Sequence, residues 1–442
     1  MLPPLFFSVR VPTLLALFWR AHFSRPAVSG IARKGRLSFI VFRLDSLGDV
    51  VMTTPLFRAL KQANPRSHCT VVVERSYKSL LATNSRIDEI LTLPKIRPAW
   101  LPQRMRRLMA AVLFYWTHLR KRHFDIAISP RWDVDGHLAT FLCVLANAAN
   151  RVGYSEKASP AKQRINRGFD RAYHTCLPPG PVQHEVLRNL AIAEALGATA
   201  CESRLEIRVT EQDRKRAQRL LGKAPRSATL IAIGIGAQSP GRRWPLERYA
   251  ATVAHLDRLH SVWPVILCSG AELGEALKLA GLLPRPPVIV SGAKLRDVCA
   301  VLERCELFIG NDSGCAHLAA AMGCKTVVVS RHPRGGDANH FNSPVRFAPL
   351  GSDVHVLQPD AGLDGCKDAC RSPGVHCIRQ LAVEEVVTAA HAMLNQPRAE
   401  AAASLVATRL DMASQSLLQA HAAEALQAAV DALNAGSSRP IA

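Results

Sequence analysis

Two successive α/β domains, each a parallel sheet covered by helices on both faces, are what this sequence predicts. Three observations carry the prediction. From Leu37 onward, short β-rich apolar runs alternate with stretches of helical length. The same rhythm restarts at Thr229, after a charged stretch. The chain has 442 residues, 48% of them hydrophobic, enough for two to four domains with sizeable cores.

In order, LSFIVFR (37–43) reads as a strand, 50–63 as a helix and CTVVVE (69–74) as a strand. A helix near 76–83, a strand at IDEILTL and a long helix near 101–121 follow, then a strand at DIAISP (125–130) and a helix over 134–147. The second series opens with TLIAIGIG (229–236). Strands at WPVILCS, PVIV, ELFIG and TVVVS then alternate with helices near 245–259, 272–281, 294–303 and 313–322. The expected organisation is a leader (1–36), a first domain (37–205), a linker (206–228), a second domain (229–396) and an Ala-rich helical tail (397–442).

Composition excludes a disordered polyelectrolyte, a collagen-like repeat and a polytopic membrane protein. The net charge of +21 predicts a polyanionic partner: nucleic acid, an acidic membrane surface or a phosphorylated substrate. No nucleic-acid module is recognisable, so nucleic acid is not expected. Seven Lys/Arg and no acid lie between Arg97 and Arg122, interleaved with Trp100, Phe114, Tyr115 and Trp116, a pattern that suits an anionic lipid surface or an ordinary solvated helix face. Residues 1–36 hold six Lys/Arg and a short apolar run at Leu14–Trp19, which fits an interfacial anchor or an unstructured leader. Most of the twelve cysteines sit in apolar runs, as buried reduced thiols of a cytosolic protein do.

Three segments could carry chemistry, because ligands of doubly wound sheets meet the carboxyl ends of strands. Arg43-Leu44-Asp45-Ser46-Leu47-Gly48-Asp49 follows the first strand, and Asp49 there is either a reactive carboxylate or a helix cap. Gly234-Ile235-Gly236 through Arg242-Arg243-Trp244-Pro245 lacks the third glycine of a dinucleotide fingerprint. Its two arginines suit a diphosphate, or else a solvated loop. Asn311-Asp312-Ser313-Gly314-Cys315-Ala316-His317 runs into a helix whose first N–H groups would hold an anion, with His317 either on that face or a satisfied core histidine. Asp133 and Asp135 form an acid-x-acid pair that could hold a divalent ion or simply open a helix. Cys366, Cys370 and Cys377 offer a loose zinc spacing or a loop thiol cluster.

Taken in order, FRLDSLGDVVMTTPLFRAL, RVGY, HEVLRNLAIAEALG, GRRWPLERYA and GNDSGCAHLAAAMG resemble family 9 glycosyltransferases, the bacterial lipopolysaccharide heptosyltransferase family, over roughly residues 37–394. The resemblance implies a GT-B fold, two Rossmann-like doubly wound domains facing across a cleft. It implies inverting transfer from a nucleotide-sugar, typically ADP-heptose, to a lipopolysaccharide core or related surface glycan. Asp49 matches the family's base, with Arg43, Asp45, Asp133 and Asp135 on the acceptor side. Gly236, Arg242, Asp312, Ser313, Gly314 and His317 fall on the donor side. Glu272 or the nearby Glu275 matches the ribose-holding acid. Arg242 stands where the family usually has Lys, which changes hydrogen-bond geometry.

Fixed positive charge at the diphosphate would leave no need for a metal cofactor. The expected partners are a nucleotide-sugar, a lipid-linked anionic glycan acceptor and the inner membrane surface. The expected location is cytoplasmic, peripheral at the inner face of the inner membrane. Two other readings compete: a GT-B nucleotide-sugar epimerase, and a non-catalytic basic membrane- or nucleic-acid-binding protein on the same scaffold.

Overall fold

The computed structural model describes residues 36–96, 100–199, 201–222, 224–225, 227–363 and 376–396. The leader, save Arg36, and the Ala-rich tail lie outside the described residues.

The first sheet is built from β1 (Ser38–Arg43), β2 (His68–Val73), β3 (Glu89–Thr92), β4 (Phe124–Ser129), β5 (Ala148–Tyr154) and β6 (Thr175–Leu177), all parallel, in the order β3-β2-β1-β4-β5-β6. The second holds β7 (Thr229–Gly234), β8 (Val262–Cys268), β9 (Val288–Ser291), β10 (Leu307–Asn311), β11 (Lys325–Val329) and β12 (Val354–Leu357), in the order β12-β11-β10-β7-β8-β9. Counted within its own sheet, each series runs 3-2-1-4-5-6, the Rossmann order. Each sheet therefore has a switch point, β1 beside β4 and β7 beside β10, where helices leave in opposite directions and open a crevice.

The helices of the first half are α1 (Leu47–Met52), α2 (Thr54–Ala63), α3 (Lys78–Leu81), α4 (Gln103–Phe114), α5 (Ala139–Leu145), α6 (Pro160–Ile165) and α7 (Glu185–Ala195). Those that follow are α8 (Glu211–Leu220), α9 (Leu246–His260), α10 (Leu273–Leu282), α11 (Leu295–Arg304), α12 (Gly314–Ala321), α13 (Pro344–Phe347) and α14 (Val383–Leu394).

The helix expected over 50–63 is two helices, broken at Thr53. Pro55 has no N–H to donate to the Val51 carbonyl, which instead accepts the Thr54 hydroxyl at 2.8 Å. The Met52 carbonyl is taken by the Asn189 amide at 3.0 Å. The helix expected over 134–147 begins only at Ala139, because the Asp135 carboxylate gathers the N–H groups of His137, Ala139 and Thr140 into a turn. Past Phe114, the long basic helix ends in a wide turn in which the Arg120 N–H reaches back to the Tyr115 carbonyl. The stretch expected as a linker holds α8, which docks on α11: Arg216 bonds Asp297 at 2.7 Å, Arg214 bonds Glu303 at 2.7 Å, and both Arg216 and Arg296 pair with the buried Asp213.

Gly310 and Gly234 are register partners on β10 and β7, and the Phe308 ring lies over both. A Cβ at Gly310 would sit 2.6 Å from that ring and one at Gly234 2.5 Å, while Phe308 itself is fully buried. Gly234 therefore makes room for a core ring rather than for a dinucleotide. We predict that Gly310→Ala, by overpacking this slot, lowers unfolding free energy by about 1–3 kcal/mol, read from the urea midpoint.

Candidate functional site

The site lies where the carboxyl ends of the two central strands meet. On the first side, β1 ends at Arg43 and a three-residue turn leads into α1, which places Asp49 in its first turn. One Asp49 carboxylate oxygen accepts from the Ser46 N–H at 3.2 Å and from its hydroxyl at 2.7 Å. The other accepts from Arg43 Nη2 at 3.2 Å. Asp45 stands beside it, 3.3 Å from Arg43 Nη1 and 3.5 Å from Arg131 Nη1, and the same Arg131 nitrogen is 3.7 Å from Asp49. Burial pushes the Asp49 carboxyl up, but Arg43, Arg131 and the Ser46 bonds outweigh it and hold it below the usual range. Asp49 both ties off the start of its helix and stays ionised, a proton acceptor at neutral pH.

Arg131 escapes a sequence reading: it follows β4, distant in the chain, and no motif marks it. The loop that carries it is pinned by the buried Lys162 amine, which donates to the carbonyls of Arg131, Trp132 and Tyr154 at 2.9–3.1 Å. Burial brings that amine down to about 8. In the same loop Asp133 pairs with Arg346 at 3.3 Å, whereas Asp135 is consumed by backbone N–H groups. The two acids thus have separate tasks, and Asp135 prepares the start of a helix.

On the second side, the loop after β7 is held by the buried Asn311. Its amide donates to the Ile235 carbonyl at 2.9 Å and its oxygen accepts from the Trp244 N–H at 2.9 Å and the Tyr249 hydroxyl at 3.0 Å. Arg242 Nη2 reaches the Asp312 carbonyl at 2.6 Å and its carboxylate at 2.9 Å, and the buried Arg242 Nε has no protein partner. Ser313 caps α12 and Gly314 is its first residue. Glu272 lies over Gly236, where a Cβ would be 2.7 Å from its carboxylate, and is oriented by the Ser269 N–H and hydroxyl at 2.9 and 2.8 Å. Glu275 instead pairs with Lys278 on an exposed helix face, so Glu272 is the acid turned to this loop.

Two glycines bring the sides together. A Cβ on Gly314 would be 2.8 Å from the Leu47 side chain, and one on Gly48 would be 2.8 Å from the His317 ring. Any larger residue at either position would wedge α1 away from α12. His317 is buried, its Nδ1 has no protein partner, and burial lowers its pKa to about 4, so it is neutral at physiological pH. Behind this contact the two halves are joined by charge: Arg346 donates to Glu185 at 2.8 and 3.1 Å, and Arg188 and Arg346 lie 3.5 and 4.6 Å from the Trp132 ring centroid.

Cys366 and Cys370 lie outside the described residues. Cys377 is buried with its sulfur 3.4 Å from the Leu363 N–H, and among the described residues no cluster of three His, Cys, Asp or Glu side chains is placed to hold a metal.

The model of glycosyltransferase family 9 (heptosyltransferase) matches residues 112–332, half of the chain. The chain belongs to glycosyltransferase family 9. It is accordingly a glycosyltransferase. A Haemophilus influenzae relative, the lipopolysaccharide core heptosyltransferase OpsX, is 24% identical over 79% of this chain and 95% of its own. A family 9 structure from Veillonella parvula superposes with a TM-score of 0.66 at 23% identity, over 82% of this chain and 99% of that one. The Escherichia coli heptosyltransferase WaaC with ADP superposes with a TM-score of 0.60 at 17% identity, over 81% and 100%. These likenesses and the two Rossmann-order sheets make the fold of this family 9 member GT-B.

A histidine whose pKa falls on folding destabilises the native state in acid, because the unfolded chain takes up the proton that the folded one refuses. Below about 6.5 the loss grows until the folded value is reached. We therefore predict that between pH 7 and 4.5 His317→Gln loses about 2 kcal/mol less stability than the parent protein, measured by urea unfolding at both pH values.

Proposed function

We propose that this glycosyltransferase moves heptose from ADP-heptose onto a lipopolysaccharide core or related surface glycan, with inversion at the anomeric carbon. The observation that carries the reading is the juxtaposition of Asp49 with the Arg242–Asp312–Ser313–Gly314 turn through the Gly48–His317 contact. The relatives' activity and the ADP in the WaaC structure support the choice of sugar and nucleotide.

In this mechanism the donor lies on the second domain, its ribose towards Glu272 and its diphosphate at Arg242 and the start of α12. The acceptor hydroxyl gives its proton to Asp49 as its oxygen attacks the anomeric carbon. The bond from that carbon to the diphosphate oxygen breaks on the opposite face, through an oxocarbenium-like state. The Arg242 Nε, the N–H groups of Ser313 and Gly314 and the helix dipole receive the charge that develops on the diphosphate. Neutral His317 fills the space between base and diphosphate without adding a charge that would compete for either. These fixed groups supply the positive field that a divalent ion would otherwise provide.

The test separates base from donor site. Asp49→Asn abolishes transfer, a loss of at least about a thousandfold, while thermal unfolding shows the same stabilisation by ADP-heptose as in the parent protein. Stabilisation by a UDP- or GDP-sugar in place of ADP-heptose would reject heptosyl transfer, and retained turnover would reject Asp49 as the base.

The acceptor in this reading is lipid-linked and anionic, met at the inner face of the inner membrane. Helix α4 supports it. Met105, Met109, Val112, Leu113 and Trp116 follow one another at helical spacing, all exposed, Trp116 by 57%, and Trp100 before the helix is 79% exposed. Arg120, whose guanidinium lies 5.4 Å from the Trp116 ring centroid, and Lys121 follow this stripe and are both exposed, giving apolar contact with lipid and charge complementary to anionic headgroups. Arg107 ties the helix to the loop of Arg131 and Asp133 by donating to the Gly136 carbonyl at 2.6 Å. Among the described residues no helix is long and apolar enough to cross a membrane. Met109→Glu with Trp116→Glu is expected to weaken co-sedimentation with phosphatidylglycerol vesicles by about tenfold or more, with ADP-heptose binding unchanged.

A further inference from the structure

The carboxylate assigned as the base is paired with two arginines held in different ways. Arg43, from β1, is 1% exposed and grips both acids: Nη1 faces Asp45, Nη2 faces Asp49, and Nε donates to the Asp49 carbonyl at 3.2 Å. It is built in. Arg131 differs in each respect. Its side chain keeps 23% of its surface exposed, and its Nη1 stands 3.5 and 3.7 Å from the two carboxylates, beyond good hydrogen-bond length. Only Nε is anchored, to the Val134 carbonyl at 3.3 Å. Because Lys162 pins the backbone of this loop, the guanidinium can swing while its root stays in place.

Arg131 also lies on the side from which an acceptor must come. Its loop carries Asp133 and is bound to the basic helix α4 through Arg107. An anion arriving there meets a partly exposed guanidinium whose Nη1 stands near two carboxylates without a short hydrogen bond to either.

We propose that Arg131 reads the acceptor: an anionic group on the acceptor draws its guanidinium off Asp45 and Asp49, so that the proton-accepting charge of Asp49 is released only when that acceptor is in place. The proposal rests on Asp49 being the base. The transfer step is otherwise unchanged: the hydroxyl proton passes to Asp49, the new bond forms to the anomeric carbon and the diphosphate leaves. A phosphate or a carboxylate on the acceptor would serve, since Arg pairs with either through two donors. The groups that face Asp49 are Arg43, Asp45 and Ser46 from β1 and its turn, Tyr77 after β2, Arg131 after β4 and His317 on α12. Those that face Arg131 are Asp45, Asp49, Asp133 and Glu185, and the neighbouring His137 and Lys162 also feel its charge. Arg131 is the exposed cation of the two paired with Asp49.

The experiment compares two pH profiles of the full chain, with saturating ADP-heptose and a lipopolysaccharide core acceptor lacking the heptose. The acid limb of kcat/KM for the acceptor reports the enzyme before the acceptor binds, and that of kcat reports the complex. With Arg131 at the carboxylate, Asp49 holds its charge to lower pH; with Arg131 withdrawn, it is protonated sooner. The kcat limb is therefore expected about one pH unit above the kcat/KM limb. In Arg131→Met both limbs are expected together at the upper position, with acceptor KM raised about tenfold or more, while Arg131→Lys keeps them apart. Coincident limbs in the parent protein would overturn the proposal even if Arg131→Met failed to fold, and so would an Arg131→Met profile with its limbs still separated. Retained turnover in Asp49→Asn would instead remove the base assignment itself, a different failure.

Discussion

Four ionised groups share one buried place at the end of β1, and much of the architecture around them exists to make that tolerable. Removing Asp45, Asp49 and Arg43 from water costs several kcal/mol per ion, offset only if each charge is matched and hydrogen-bonded. Two acids against two arginines achieve the balance, with the Ser46 N–H and hydroxyl completing Asp49. The arrangement draws on β1, on the turn into α1 and on the loop after β4. It therefore depends on β1 and β4 being neighbours, which is the switch point of a Rossmann-order sheet. A carboxylate kept ionised in a dry place is what the proposed proton transfer from an acceptor hydroxyl requires.

The second domain answers with the same topology and a different chemistry. Its switch point carries a helix N-terminus, Arg242 and an oriented Glu272, the groups to which the proposed mechanism brings an anionic nucleotide. What couples the two is the absence of side chains. Gly48 and Gly314 let α1 and α12 approach until His317 and Leu47 fill the space a Cβ would need. Buried ion pairs behind them, Glu185 and Asp133 to the shared Arg346, couple the two halves at a second point.

Much of the fold was legible because its signals are local. Short runs rich in β-branched and aromatic residues, such as FIVF and TVVV, favour buried strands, and their alternation with helical stretches implies parallel pairing. Boundaries failed where side chains compete with the backbone. Thr54 and Pro55 split a helix whose periodicity continues through them, and Asp135 delays another by gathering three N–H groups. β5, with Asn150 and Arg151 inside it, carries too little apolar pattern to be seen in isolation.

By itself the sequence determined which short segments could carry chemistry, since the segments that hold Asp49, Arg242 and Asp312-Ser313-Gly314 each begin where a strand ends, where loops of such sheets meet ligands. It also determined the net charge of +21, which favours anionic partners. Only the tertiary structure decided that Arg131 shares Asp49 with Arg43, that Glu272 rather than Glu275 turns to Gly236, and that Gly48 lies under His317. Those are contacts between residues tens to hundreds of positions apart. Their energies come from desolvation and close packing, which no window of sequence contains.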